Sequence, residues 1–153
     1  MEYLKYRFSE PPNLPAGRLH IEILETAALE DFTEAAQTME ACRVMGARFA
    51  LDDFGTGYSS LTYLHRLAVD TLKIDQPIVH DMLVDKGDNA IVQGVIALAK
   101  AFNLKTVAEG IETMEYFGAL LAMGCESGQG YGIARPMPAA DFSGWARNYC
   151  VRS

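Results

Sequence analysis

Residues 49–61 read Phe-Ala-Leu-Asp-Asp-Phe-Gly-Thr-Gly-Tyr-Ser-Ser-Leu, an apolar run that closes on two neighbouring carboxylates, Asp52 and Asp53, and then on a glycine-punctuated loop. Two adjacent acids at the end of a buried strand are costly unless something positive sits beside them. A divalent cation is the usual reason for such a pair. The bland alternative is a turn whose Asp residues cap a helix and face water. Taken alone, Asp-Asp-Phe-Gly favours that alternative.

Other acids shift the balance. Glu22 and Glu25 close a first apolar segment, Lys73 and Asp75 a third, Glu109 and Glu112 a fourth, and Gln129 lies in a fifth. Solvent-facing strand ends explain one or two charges, but less well four apolar segments ending in charge with a lysine among them. Carboxylate oxygens without a nearby His or Cys suit magnesium or manganese better than zinc. Two such ions roughly 3.5–4 Å apart can clamp an in-line displacement at phosphorus. A lysine beside them can orient a water or stabilise developing charge, and a further Glu can take the water's proton.

These side chains need a scaffold that brings distant strand ends together. The alternating pattern predicts strands at 18–25, 48–52, 71–75, 105–109 and 127–131. Helical spacing covers 28–45, with Asp31 as a cap and Gly46 as a stop, then 59–66, 90–102, 114–123 and 140–149. The 81–88 stretch reads as a solvated turn. Strands alternating with helices of this length make parallel α/β units, whose strand C-terminal ends share one face. Pro11, Pro12 and Pro15 make residues 1–17 an irregular segment, and residues 18–153 carry no internal linker.

Bulk properties exclude several classes. The chain has 153 residues, half of them apolar, enough for one domain with a sizeable core. Its net charge of −7 argues against a broad DNA or RNA footprint. No apolar run is long enough for a membrane span. The three cysteines have no metal-type spacing and suggest no disulfide framework, so a reducing cytoplasm is the expected location. His20, His65 and His80 share no metal spacing, and Trp145 is expected to pack its helix onto the sheet, with stacking on a ligand base as the minority reading.

Six motifs in order resemble those of the EAL domain: Glu22-x-x-Glu25, Asp52-Asp53-Phe54-Gly55-Thr56-Gly57, Lys73-Ile74-Asp75, Glu109-Gly110-Ile111-Glu112, Gln129-Gly130-Tyr131 and Pro136-Met137-Pro138. The resemblance covers about residues 14–146. It implies a bacterial phosphodiesterase that linearises cyclic di-GMP to pGpG on a modified TIM barrel, with two magnesium or manganese ions. On this resemblance Glu22, Asp52, Asp53 and Glu109 are metal ligands, with Asp52 bridging. Lys73 orients the attacking water, Glu109 is the general base and Gln129 holds a water or the base. Glu25 braces the loop after Asp53, and Glu112 and the Pro136 region line the substrate side.

Complete family members are near the usual TIM-barrel size of about 250 residues. The Glu-Ala-Leu signature and an Asn ligand on the next strand have no counterpart in this sequence. The expectation is therefore a shortened EAL fold, a partial TIM-type barrel of about five parallel βα units with one metal site short of ligands and reduced activity. Five strands cannot close an eight-stranded barrel. The open edges predict a homodimer or larger oligomer. The competing expectation is a catalytically impaired module that binds cyclic di-GMP or a protein partner.

Overall fold

The computed structural model describes residues 15–54 and 64–150. The helix expected at 59–66 lies mostly outside them, as does most of the irregular segment at 1–17. One parallel sheet of five strands runs in the order β1 (His20–Leu24), β2 (Arg48–Phe54), β3 (Thr71–Ile74), β4 (Lys105–Ala108) and β5 (Ser127–Gly128). Every neighbouring pair is parallel, so each strand's C-terminal end meets one rim. The described helices are α1 (Glu25–Glu30), α2 (Phe32–Val44), α3 (Gln76–Asp81), α4 (Lys86–Ala101), α5 (Met114–Met123) and α6 (Ala139–Cys150).

The two faces of the sheet differ because strand side chains alternate. Phe49, Leu51, Leu72 and Ile74 point to the helical side, where Met39 and Cys42 of α2 and Val92, Val95 and Ile96 of α4 cover them. The opposite face carries Ala50, Thr71 and Lys73 in register, all buried. On β1 that face is open: His20, Glu22 and Leu24 are exposed while Ile21 and Ile23 are half-buried. Asp70 fastens the start of the sheet: its carboxylate accepts the Phe49 N–H at 3.0 Å and pairs with Arg48 Nη1 at 2.5 Å. Its own N–H donates to Phe49 O and its carbonyl accepts from Lys105 N.

Several boundaries depart from the sequence reading. The single helix expected at 28–45 is two, because Asp31 leaves helical geometry and caps α2, accepting the Glu34 N–H at 3.0 Å. Glu25 opens α1 instead of ending a strand. The turn expected at 81–88 is shorter: Asp81 still belongs to α3 and Lys86 already to α4. Asp85 between them caps α4 through the N–H groups of Gly87 and Asp88. Helix α3 has no counterpart in the sequence reading; Pro77 sits in its first turn, where the lost N–H has no intrahelical partner anyway. Strand β5 stops at Gly128, short of the expected Tyr131. Gly46 and Gly124, both at positive φ, follow α2 and α5 as expected of helix stops. No described helix is long and apolar enough to cross a membrane.

Leu72 is fully buried at the centre of the sheet's helical face. Leu72→Ala is expected to cost about 2–5 kcal/mol. Urea unfolding should show this as a lower midpoint with an unchanged slope.

Candidate active site at the carboxyl rim

Register explains how the charges meet. Glu22 pairs with Ala50 and Lys73 with Val107, so Glu22, Asp52, Lys73 and Glu109 share the face that Ala50 and Thr71 occupy lower down. Gln129 follows Ser127 of β5, whose partner is Val107, and joins the same side. Two bonds extend the ladders past the strand ends: Glu109 N–H donates to Ile74 O at 3.0 Å, and Gln129 N–H to Ala108 O at 2.8 Å.

Adjacent residues in a regular strand point to opposite faces, so Asp52 and Asp53 need a departure. Leu51 pairs with Leu72 and Phe54 with Ile74, leaving Asp52 and Asp53 opposite the single residue Lys73. This is a β-bulge, which redirects side chains where a ladder gains one residue. Asp53 adopts φ 58°, a left-handed backbone that Asp and Asn tolerate better than most residues. Its N–H donates to Asp52 Oδ1 at 3.1 Å. Burial, then Asp75 and Asp52, push the Asp53 carboxyl above its ordinary value, and Lys73 only partly opposes them.

Lys73 is the centre of the cluster. Its Nζ lies 2.9 Å from Glu22 Oε2, 2.9 Å from Asp52 Oδ1 and 2.6 Å from Glu109 Oε1. The residue is only 5% exposed. Burial alone lowers a lysine's pKa. Here the bonds to Glu109, Glu22 and Asp52 outweigh burial and hold the ammonium well above the ordinary lysine range. Glu109 Oε1 also accepts from Gln129 Nε2 at 2.7 Å, which leaves Oε2 as the oxygen turned to other work.

The donor set is all oxygen, from Glu22, Asp52, Asp53 and Glu109, and chemically fits a hard divalent cation. Among the described residues no three acidic, His or Cys side chains are spaced to share one ion. The Lys73 ammonium takes the position on which three of these carboxylates converge. Glu25 is buried, and its Oε2 has no hydrogen-bond partner among the described residues. The loop it was expected to brace, residues 55–63, lies outside the described residues. His80 is exposed and pairs with Asp81 at 2.7 Å, an ion pair that raises its pKa.

A cavity of about 660 Å³ opens beside the cluster and shares Glu109 and Gln129 with it. Glu112 and Pro136, expected on the substrate side, line it. Gly130 lies so close to the Ile111 backbone that any side chain there would overlap it. That contact holds the two cavity walls together through Ile111 N–H to Gln129 O at 3.0 Å.

The sequence reading missed Gln76, Tyr131 and Arg135 in this wall. Arg135 stacks on Tyr131, its guanidinium 4.7 Å from the ring centre. Trp145 does not seat its helix on the sheet; α6 has no buried residue in its described positions, and the indole faces the cavity between Phe142 and Tyr149. The 142/145/149 spacing is the signal that could have shown this aromatic stripe.

The EAL domain profile matches residues 1–136. Over 127 residues, 83% of this chain, the sequence is 42% identical to MucR of Pseudomonas aeruginosa, named a bifunctional diguanylate cyclase/cyclic di-GMP phosphodiesterase. The match spans 18% of that relative's own length. The PaMucR phosphodiesterase in its c-di-GMP complex superposes with a TM-score of 0.78 at 42% identity, covering 82% of this chain and 51% of that one. Klebsiella pneumoniae BlrP1 in a manganese/cy-diGMP complex gives a TM-score of 0.80 at 31% identity, covering 88% and 35%. The sheet is thus part of an α/β barrel of the EAL type.

The raised Asp53 pKa fixes the sign of a pH effect. A carboxyl whose folded value lies above its unfolded one opposes folding once ionised, and the opposition vanishes as pH falls below the unfolded value near 3.9. Asp53→Asn, which keeps the left-handed backbone, is expected to raise the melting temperature in EDTA at pH 7. The gain should disappear near pH 3, as scanning calorimetry at both pH values would register.

Proposed function

Because this chain belongs to the EAL-domain family, we propose that it hydrolyses one phosphodiester bond of cyclic di-GMP to give linear pGpG. A carboxylate takes a proton from water as its oxygen adds to phosphorus, the P–O3′ bond breaks, and the departing O3′ takes up a proton to leave as the 3′-hydroxyl of the linear product. The observation that carries this reading is the convergence of Glu22, Asp52 and Glu109, from three strand ends, on the Lys73 ammonium of a fourth strand. The names of the matched relatives point to the same ligand; both solved structures are cyclic di-GMP complexes.

Glu109 is the general base in this proposal. Lys73 and Gln129 fix its Oε1, so Oε2 takes the proton. The substrate occupies the neighbouring cavity, bounded by Glu112 and Pro136, with Arg135 close enough to offset phosphate charge. Glu22, Asp52, Asp53 and Glu109 would hold magnesium or manganese, which when bound polarises the phosphoryl oxygen and lowers the pKa of water. Cation binding also reconciles an anionic substrate with a chain of net charge −7. Buried Glu25, whose Oε2 has no partner among the described residues, is the proposed brace for the loop after Asp53. The free buried thiols of Cys42 and Cys125 suit a cytoplasmic setting.

A second reading, binding of cyclic di-GMP or a protein partner without turnover, draws on the absence of a ready three-ligand metal group among the described residues. Calorimetric binding of cyclic di-GMP with no pGpG formed would select it.

The exposed inner face of β1, with Leu24 half-exposed at the sheet edge, supports self-association. Gel filtration with light scattering should give a dimer or larger species at micromolar concentration; a monodisperse monomer contradicts this. For catalysis, Glu109→Gln is expected to lower pGpG formation by about 10²–10⁴-fold. Asp52→Asn or EDTA should abolish it. Turnover insensitive to EDTA in a chromatographic assay would overturn the hydrolytic mechanism.

A further inference from the structure

Helix α6 carries an aromatic stripe that the sheet does not use. Phe142, Trp145 and Tyr149 lie along it, yet none of residues 139–149 is buried, and Phe142 is 56% exposed. A stripe that only seated its helix would be covered. Instead Phe142 and Trp145 line the cavity of about 660 Å³ that also holds Glu109 and Gln129, so one ligand can touch both the rim and the indole. Tyr149, which is not part of the cavity wall, stacks on the indole with ring centres 5.1 Å apart and planes 29° apart. Phe142 flanks it at 5.8 Å. An indole already held by two rings loses little freedom when a third ring stacks on it.

We propose that Trp145 is a platform on which one guanine of cyclic di-GMP stacks while its phosphate lies toward Glu109, an assignment that rests on that dinucleotide being the ligand. The chemistry of the wall divides in the same way. Arg135, fixed over the Tyr131 ring, is the cation among the described lining residues and suits a phosphate. Pro136, Met137, Phe142 and Trp145 carry no charge and suit a flat, neutral ring. Stacking needs only a π face, so Trp145 supplies affinity and holds the phosphodiester in place without telling guanine from adenine. Phe142 and Trp145 lie past residue 136, where the match to the family profile ends, and belong to none of the six motifs that carry the resemblance.

Trp145 is the single tryptophan of the chain, so its fluorescence reports on the platform without a label. The test is a titration of the full chain with cyclic di-GMP, in EDTA and again in magnesium, following Trp145 emission and, in parallel, heat by calorimetry. The emission should fall with the same midpoint as the heat, and bound dinucleotide should shield the indole from acrylamide. Cyclic di-AMP should quench Trp145 as well wherever it binds. Trp145→Leu should weaken cyclic di-GMP binding roughly tenfold with a nearly unchanged melting temperature in the absence of ligand, and Trp145→Phe should keep most of the affinity. If Trp145→Leu does not fold, quenching and shielding in the wild-type chain decide. Trp145 emission and acrylamide access unmoved at saturating cyclic di-GMP, or wild-type affinity in a folded Trp145→Leu, overturns the platform and leaves the hydrolytic reading intact. No calorimetric binding of cyclic di-GMP in either buffer overturns the ligand reading and the platform with it.

Discussion

One buried ammonium surrounded by three carboxylates governs the rim of this sheet. Lys73 reaches Glu22 on β1, Asp52 on β2 and Glu109 just past β4. Each carboxylate alone would repel the others, and Lys73 alone would be costly to bury. Together they tie strand ends 87 positions apart in sequence, from Glu22 to Glu109, to one point. The cluster of three carboxylates and one ammonium carries an excess of negative charge, which is the basis for proposing a further cation there.

The fold supplies this meeting through parallel register. Small or polar residues, Ala50 and Thr71, fill the inner face below the cluster, while Phe49, Leu51, Leu72 and Ile74 fill the helical side. The bulge at Asp52–Asp53 lets two successive acids serve one site, and the left-handed backbone at Asp53 is its local cost. Beyond the strands, the approach of Gly130 to Ile111 sets Gln129 against Glu109 and shapes the cavity wall. The ammonium cluster and the cavity thus share Glu109 as a common boundary.

Much of this was legible in the sequence because strand ends in parallel α/β folds share a rim. Apolar runs closing on Glu22, Asp52, Lys73 and Glu109 were enough to bring them together on paper. The bulge was not legible: alternation places Asp52 and Asp53 on opposite faces, and only pairing with β3 reveals the extra residue. Nor was the contact of Lys73 with three acids, which depends on side-chain reach across strands. Helix α3 escaped because its six residues are too few to show a period and Pro77 resembles a breaker. The favoured Trp145 reading, packing on the sheet, erred because an aromatic on an amphipathic helix is usually core, whereas α6 turns Trp145 toward a cavity.

The central claim is that these strand-end carboxylates form a single cation-binding, hydrolytic centre. Anomalous diffraction at the manganese edge, from crystals of the whole chain soaked in manganese chloride, tests it most directly. The account predicts a peak about 2.1 Å from carboxylate oxygens of Asp52 and Glu109. Saturating manganese with no peak at the rim, and Lys73 still bonded to all three carboxylates, would contradict it.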